Sequence, residues 1–286
     1  MSRPSLGFIG AGKVGCTLAR LLQQASYRVV AVHSRTPESA ERLARQVQAQ
    51  AVNTPDEVIA RADLTLLTVP DDEISTVVGL IVGEVRGKAV VHTSGVHDAT
   101  ALAVLAQRGA MVTLGSLHPA FPFADVESSV ANLPGATFAL EAEAEPLRSW
   151  LHKMVLALHG RAMVIAPGQK AAYHAALAIA SNYTVTLYAA AEKLLLALGA
   201  DRETADGALN VLLAATIENL RVQGVPAALT GPLVRGDVGT VAAHLTALEH
   251  DRLLHDTYSQ LARLTLPLLE ARGVPTSAIE QLLNVE

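Results

Sequence analysis

Leu6-Gly7-Phe8-Ile9-Gly10-Ala11-Gly12-Lys13-Val14-Gly15-Cys16-Thr17-Leu18-Ala19 is the stretch from which the rest of the chain is read. Four residues of strand pattern run straight into a Gly-x-Gly-x-x-Gly spacing, and a helical pattern opens inside it. In a dinucleotide-binding turn, the first glycine (Gly10) allows the tight bend. The second (Gly12) lets backbone approach a pyrophosphate, and the third (Gly15) lets helix and strand pack closely. Ala11, Lys13 and Val14 complete the loop. The phosphates then fall on a helix N-terminus, where free N–H groups and the helix dipole favour anions. Glycines recur in turns for structural reasons alone, so the weight comes from the strand before and the helix after.

Outward from this turn, short apolar runs alternate with helical patterns, the rhythm of a largely parallel sheet with crossover helices. Strand-like runs are Leu6–Ile9, Arg28–His33, Leu64–Val69, Ala89–His92, Met111–Leu117, Ala136–Leu140 and Arg161–Ile165. Helical patterns cover Lys13–Gln24, Pro37–Gln48, Asp72–Val82, Ala99–Gln107 and Glu143–Leu158, and Gly115–Leu133 reads as irregular. After Pro167-Gly168 the pattern is helical only: Gln169–Leu198, Arg202–Gln223, Thr240–Leu248, His250–Arg272 and a short tail helix near Thr276–Leu283. Gly199 and Gly224 stand where helix ends need positive φ, Asp201 where the next helix needs a cap, and Pro267 is expected to kink the last long helix. The expected fold is α/β: an N-terminal Rossmann domain over 1–166 with a mainly parallel sheet, then an all-α domain over 167–286 for substrate and dimerisation.

The end of the second strand chooses the cofactor. An Asp or Glu there accepts from the ribose 2′-hydroxyl of NAD, but this chain has His33-Ser34-Arg35-Thr36. Arg35 can pair with a 2′-phosphate while Ser34 and Thr36 donate to it, so NADP(H) is expected. Val69-Pro70-Asp71 and Thr93-Ser94-Gly95 follow strands at the edge where open α/β sheets bind ligands. Val69, Pro70, Ser94 and Gly95 therefore join the cofactor set, against the alternative of ordinary loop chemistry.

Among ten histidines, His118 stands out, because Gly115-Ser116-Leu117-His118-Pro119 leaves a strand end for the irregular loop. It either touches substrate or only shapes that loop. The main catalytic constellation is Lys170-Ala171-Ala172-Tyr173-His174, continuing to Ser181-Asn182 on one helix. At about 100° per residue, Lys170, His174 and Ser181 fall within roughly 40° of one another, flanked by Tyr173 and Asn182. Lys170 or His174 suits the protonation of a developing alkoxide or amine, with Asn182 orienting and Tyr173 and Ser181 lining the substrate. The alternative is a solvated helix face. Arg235 can clamp a substrate carboxylate, or equally pair with Asp237 or a neighbouring subunit.

Composition narrows the rest. With 22 basic and 27 acidic residues and a net charge of −5, no basic stripe is available to follow a nucleic acid backbone. Half the residues are hydrophobic and 3% aromatic, which is ample material for an Ala/Leu/Val core. One cysteine, Cys16, excludes a disulfide within the chain and a cysteine-rich metal site, and no metal is expected. Apolar stretches fall short of a membrane span. Met1–Pro4 lead almost at once into a strand pattern, which leaves no signal peptide and implies a cytoplasmic protein.

Taken together, Gly10–Gly15, His92-Thr93-Ser94-Gly95, His118-Pro119, Lys170 with Tyr173-His174 and Asn182, and Leu229-Thr230-Gly231-Pro232 with Arg235-Gly236-Asp237 resemble a known family. It is that of the Rossmann-like proteins carrying a helical domain of unknown function, DUF2520, over nearly the full length. Relatives include pyrroline-5-carboxylate reductases and 6-phosphogluconate-dehydrogenase-like enzymes. The resemblance implies an NADP-binding fold and a homodimer through the helical domain. Some members are described as an alternative ketopantoate reductase, and ordinary ketopantoate reductases use a lysine and an asparagine on the corresponding helix, roles that Lys170 and Asn182 match at a longer spacing.

Three functions follow. The first is NADPH-dependent reduction of a small 2-oxo acid, with ketopantoate the leading substrate. The second is imine reduction of the pyrroline-5-carboxylate reductase type. The third is a regulatory protein that binds NADP(H) and does no chemistry.

Overall fold

The strand–helix alternation read from the first half of the chain builds one eight-stranded sheet in the computed structural model, which describes residues 3–108, 111–142 and 144–284. In chain order, β1 (Leu6–Ile9), α1 (Lys13–Gln24), β2 (Val29–His33), α2 (Pro37–Gln46) and β3 (Gln50–Ala51) make one wing. Next come α3 (Pro55–Arg61), β4 (Leu64–Leu67), α4 (Ile74–Leu80), β5 (Ala89–His92), α5 (Ala103–Arg108) and β6 (Thr113–Pro119). Then α6 (Val126–Asn132), β7 (Thr137–Ala142), α7 (Leu147–Ala157), β8 (Arg161–Val164) and α8 (Lys170–Ala180) complete the first of two packing units, residues 1–182.

The strand order is β3-β2-β1-β4-β5-β6-β7-β8, parallel throughout except for the antiparallel pair β6–β7. Both faces are covered at the central strands β1, β4 and β5, every residue of which is buried, while β8 at the edge is exposed. Leu6, Phe8, Leu64, Leu66 and Val91 join α1, α2 and α7 in one core, while Ile9, Leu67 and Val90 join α3, α4 and α5 in another. Strands are added outward in one direction from β1 to β3 and in the other from β4 onward, so the order switches between β1 and β4, and the parallel strands β1, β4, β5 and β6 end at the same edge. That edge carries Gly10, Thr68, Ser94 and His118.

Local differences from the sequence reading have physical causes. The helix α3 was not expected, although Thr54-Pro55-Asp56-Glu57 carries a capping box: Thr54 Oγ1 accepts from the Glu57 N–H at 3.3 Å and Glu57 Oε1 accepts from the Asn53 N–H at 3.3 Å. The stretch read as irregular contains α6, opened by Asp125 accepting from the Ser128 N–H at 2.8 Å. Its β-branched and serine residues give it little helical propensity, so the cap does much of the specifying. The expected helix over Glu143–Leu158 begins at Leu147, and Glu143 lies outside the described residues.

The largest correction concerns Gln169–Leu198. It is two helices, α8 and then α9 (Asn182–Ala197), separated at Ser181, whose φ of −114° and ψ of −66° leave the helical path. The second unit, residues 183–286, holds most of α9 together with α10 (Arg202–Gln223), α11 (Val238–Leu248), α12 (Arg252–Glu270) and α13 (Ser277–Leu283). Asp201 caps α10 by accepting from the Thr204 N–H at 2.7 Å, and Gly224 ends it at φ +67°. Pro267 sits in the last turn of α12, where the chain completes only one more turn. Leu229, Leu245, Leu266, Leu269, Ile279 and Leu283 form this unit's core. No helix among the described residues is long and apolar enough to cross a membrane.

Candidate functional site

Thr68, directly after β4, fastens the glycine-rich turn: its hydroxyl donates to the Gly10 carbonyl at 2.7 Å. Gly10 has φ +111°, and a Cβ there would lie 2.6 Å from the Thr68 carbonyl oxygen. A Cβ on Gly15 would lie 2.2 Å from the Gly10 carbonyl oxygen, so α1 can approach the turn only because residue 15 has no side chain. A Cβ on Gly12 would meet nothing within 4 Å. Gly10 and Gly15 are therefore required by the fold, while Gly12 opens onto free space where a pyrophosphate can pass over backbone. These residues fit a dinucleotide.

At the end of β2, Ser34 is half-buried, and the Arg35 guanidinium is held at 3.0 Å by the exposed Glu73 carboxylate. Thr36 begins α2 without a capping bond from its hydroxyl. An exposed ion pair of this kind contributes little, so Arg35 can exchange Glu73 for a phosphate at small cost. Val69 is half-buried and Pro70 exposed, leading into a short 3-10 turn over Asp71–Glu73.

The turn after β5 is held at every polar atom of Ser94. Its N–H donates to His92 Nδ1 at 3.2 Å, and its hydroxyl oxygen accepts from the N–H groups of Val96 at 3.2 Å and His97 at 3.0 Å. Its carbonyl oxygen accepts from Lys170 Nζ at 2.6 Å. His92 is fully buried, and its Nε2 donates to the Asp98 carbonyl at 3.0 Å. With Nδ1 accepting and Nε2 donating, the ring is neutral, in keeping with burial pushing its pKa down to about 4. His92 is thus a core histidine with both ring nitrogens satisfied.

Gly95 is the point on which the site converges. A Cβ there would lie 2.5 Å from His174 Cδ2 and 2.8 Å from His118 Nε2. The two imidazoles meet edge-on with centroids 6.0 Å apart. The His118 Nδ1 and the Tyr173 hydroxyl are 2.9 Å apart, and those rings too are edge-on, at 5.6 Å. Burial, seconded by the Lys170 charge, lowers the His118 pKa to about 4, and burial raises that of Tyr173 to about 12. Near neutral pH the pair is therefore an uncharged imidazole and a protonated phenol.

Lys170 is 1% exposed. Burial lowers its pKa to about 8, against the opposing pull of Glu141, Asp98 and Asp71. Glu141 was not expected: it lies on β7, is buried, and its Oε2 accepts from the Ala99 N–H at 2.8 Å and the Ser116 hydroxyl at 3.3 Å. Only a carboxylate interrupting an apolar strand marks it in the sequence, and its partners come from distant elements. Thr68 was likewise missed.

The structure brings Ser94, Gly95, His118, Lys170, Tyr173 and His174 together within the first unit. Ser181 and Asn182 are exposed and lie about three helical turns, roughly 16 Å, along the chain from Lys170, at and beyond the break between α8 and α9. Ser181 ends α8 with its N–H still bonded to the Leu177 carbonyl, and Asn182 opens α9. Arg235 is exposed in the second unit, and Asp237 caps α11 by accepting from the Thr240 N–H at 3.0 Å.

Residues 1–119 match the model of a Rossmann-like domain and residues 136–265 that of a domain of unknown function, DUF2520. No curated protein matches the chain. Among solved structures, a protein from Bacteroides fragilis described as an NADP oxidoreductase is 26% identical, with a TM-score of 0.70 over 91% of this chain and 97% of its own. A protein from Thermotoga maritima is 24% identical, with a TM-score of 0.76 over 93% and 99%. A 1-pyrroline-5-carboxylate reductase from Streptococcus pyogenes is 18% identical, with a TM-score of 0.64 over 94% and 99%. The chain is thus similar, along most of its length, to Rossmann-type proteins, and it carries the DUF2520 domain behind its Rossmann-like half.

Proposed function

We propose that this protein is an NADPH-dependent reductase of a small carbonyl compound, a 2-oxo acid by preference, with ketopantoate the first candidate. The observation that carries the reading is the convergence of His118 and His174 on Gly95, with Tyr173 bonded to His118, at the edge of the sheet that also bears the glycine-rich turn. The cofactor supplies the hydride when bound. Gly10–Gly15 hold its pyrophosphate, Ser34, Arg35 and Thr36 its 2′-phosphate, and Val69, Pro70, Ser94 and Gly95 border the path to its nicotinamide.

The chain's own task is then to hold the substrate oxygen and give it a proton. His118 Nδ1–H, donating to the phenol oxygen, leaves the Tyr173 O–H free to point at that oxygen. The phenol gives its proton as the C–O π pair becomes an alkoxide, and His118 stabilises the phenolate until solvent restores the proton. The bonds balance: the carbonyl carbon gains a C–H bond with the hydride that the cofactor would release from a C–H bond of its own, the C–O π bond opens, and an O–H bond forms as the phenol O–H bond breaks. His174 borders the substrate on the other side. Lys170, which with His174 is the donor expected from the sequence and here gives that role to Tyr173, keeps the neighbourhood positive and favours the developing negative charge.

A second reading, imine reduction, is favoured by the likeness to a pyrroline-5-carboxylate reductase. Asn182, Ser181 and Arg235 remain proposed substrate groups in either case. We also propose a homodimer through the helical region: α9 buries none of its residues and α10 only Ala205, while Val185, Leu198, Val211, Leu212, Ile217 and Val222 are exposed.

The test is NADPH consumption with purified protein, using ketopantoate and pyrroline-5-carboxylate side by side. Turnover of ketopantoate alone supports the first reading, and turnover of the imine alone replaces it with the second.

A further inference from the structure

We propose that Lys170 acts through the Ser94 carbonyl as a positioning residue, locking the Ser94–Gly95 turn into the shape that receives the nicotinamide half of the cofactor. The inference rests on the cofactor reading above and concerns how one end of that cofactor is held.

Ser94 and Lys170 are 76 positions apart, yet the ammonium–carbonyl bond is 2.6 Å, the short length of a charge-assisted hydrogen bond. It completes a set in which His92 holds the Ser94 N–H and the Val96 and His97 N–H groups hold its hydroxyl oxygen. No polar atom of Ser94 is left to reorganise when a ligand arrives, and the adjoining Gly95 is fixed beneath the two imidazoles. A side chain 1% exposed with its amine on a carbonyl is badly placed to greet a substrate, whereas it is well placed to stiffen a turn.

Glu141 braces the far side of the same turn. Its carboxylate accepts from the Ala99 N–H and the Ser116 hydroxyl, beside the Asp98 carbonyl that holds His92, and its negative charge opposes the effect of burial on Lys170. Removing the amine would leave the Ser94 carbonyl without its Lys170 donor. The damage falls at Ser94–Gly95. The adenine half, held at Gly10–Gly15 and Ser34–Thr36, has no part in this network.

The experiment compares two ligands on the full chain: NADPH, followed by its fluorescence, and 2′,5′-ADP, which lacks the nicotinamide. In Lys170→Met, NADPH affinity should fall about tenfold while 2′,5′-ADP affinity stays within about twofold. Unchanged NADPH affinity, or an equal loss for both ligands, overturns the proposal. Should Lys170→Met fail to fold, Glu141→Gln tests the same network: NADPH affinity about threefold weaker with 2′,5′-ADP unaffected supports it, and no selective change overturns it. If the wild type binds neither ligand, the cofactor reading itself has failed and this inference with it.

Discussion

Gly95 lies so close to His118 that a single methyl group at position 95 would stand 2.8 Å from the imidazole Nε2, and 2.5 Å from His174 Cδ2. Gly95→Ala must therefore displace both rings or the turn itself. Overpacking of this kind costs about 1–3 kcal/mol, so the variant should still fold. Turnover should drop at least tenfold, because misplacing reacting groups by about 1 Å costs about a hundredfold. Wild-type turnover in Gly95→Ala, measured beside its melting curve, would remove the imidazoles from the mechanism.

The glycines of the turn separate fold from ligand. Gly15→Ala puts a methyl group against the Gly10 carbonyl and should lower the melting temperature by several degrees. Gly12→Ala meets only open space, so it should melt like the wild type and bind NADPH about tenfold more weakly. Thermal unfolding and NADPH titration of the two variants check both statements, and a strongly destabilised Gly12→Ala would contradict them.

The fold was largely legible in the sequence because strand and helix periods alternate plainly and the glycine-rich turn marks where the sheet begins. The end of α10 and its caps at Asp201 and Gly224 were readable for the same local reason. The site was legible only in pieces. His118, Ser94, Gly95 and the Lys170–His174 segment each stand at a strand end or helix start, where pattern points to a ligand edge. Their mutual contacts depend on the sheet order, which pairs β5 with β6 and brings α8 back over both. Glu141 and Thr68 act through partners about 25 to 60 residues away in sequence, and no spacing rule reports that. The break at Ser181 did carry a local signal, since Ser181-Asn182-Tyr183-Thr184-Val185-Thr186 are all weak helix formers, but the Ala-rich helical pattern on either side of them masked it.

Arg35→Ala should narrow the preference for NADPH over NADH to nearly nothing. Its partner Glu73 is exposed, so the fold loses little, and melting should shift by no more than about a degree or two. Affinity for NADPH should fall about tenfold and that for NADH stay constant. Retained discrimination would move the phosphate reader to another residue.

His92 makes acid stability a further test. Its folded-state pKa is lowered to about 4 from 6.5, so as pH falls the unfolded chain takes the proton first. The stability it contributes is complete above about pH 6.5 and is lost progressively on the way down to about 4, on the order of 3 kcal/mol. His118, lowered to about 4 as well, acts in the same window. Denaturant unfolding across that window should show a shallower acid slope in His92→Asn than in the wild type. An identical slope would mean that His92 takes up its proton within the folded protein at no cost.

Tyr173→Phe keeps the ring contact with His118 and removes the hydroxyl, both its proton and its hydrogen bond with His118 Nδ1. It should lower kcat about a hundredfold, within the usual worth of general acid catalysis, with NADPH affinity unchanged. Equal losses in both quantities would make Tyr173 a packing residue.

The account stands most directly on where the hydride goes. NADPH carrying deuterium at C4 should be incubated with the protein and ketopantoate, and the product analysed by mass spectrometry and NMR. Deuterium on the former carbonyl carbon, with NADP+ formed in equal amount, is the predicted result. Tight NADPH binding with no deuterium delivered to any 2-oxo acid or cyclic imine supplied would contradict it, and would make the protein a binder of the cofactor rather than a reductase.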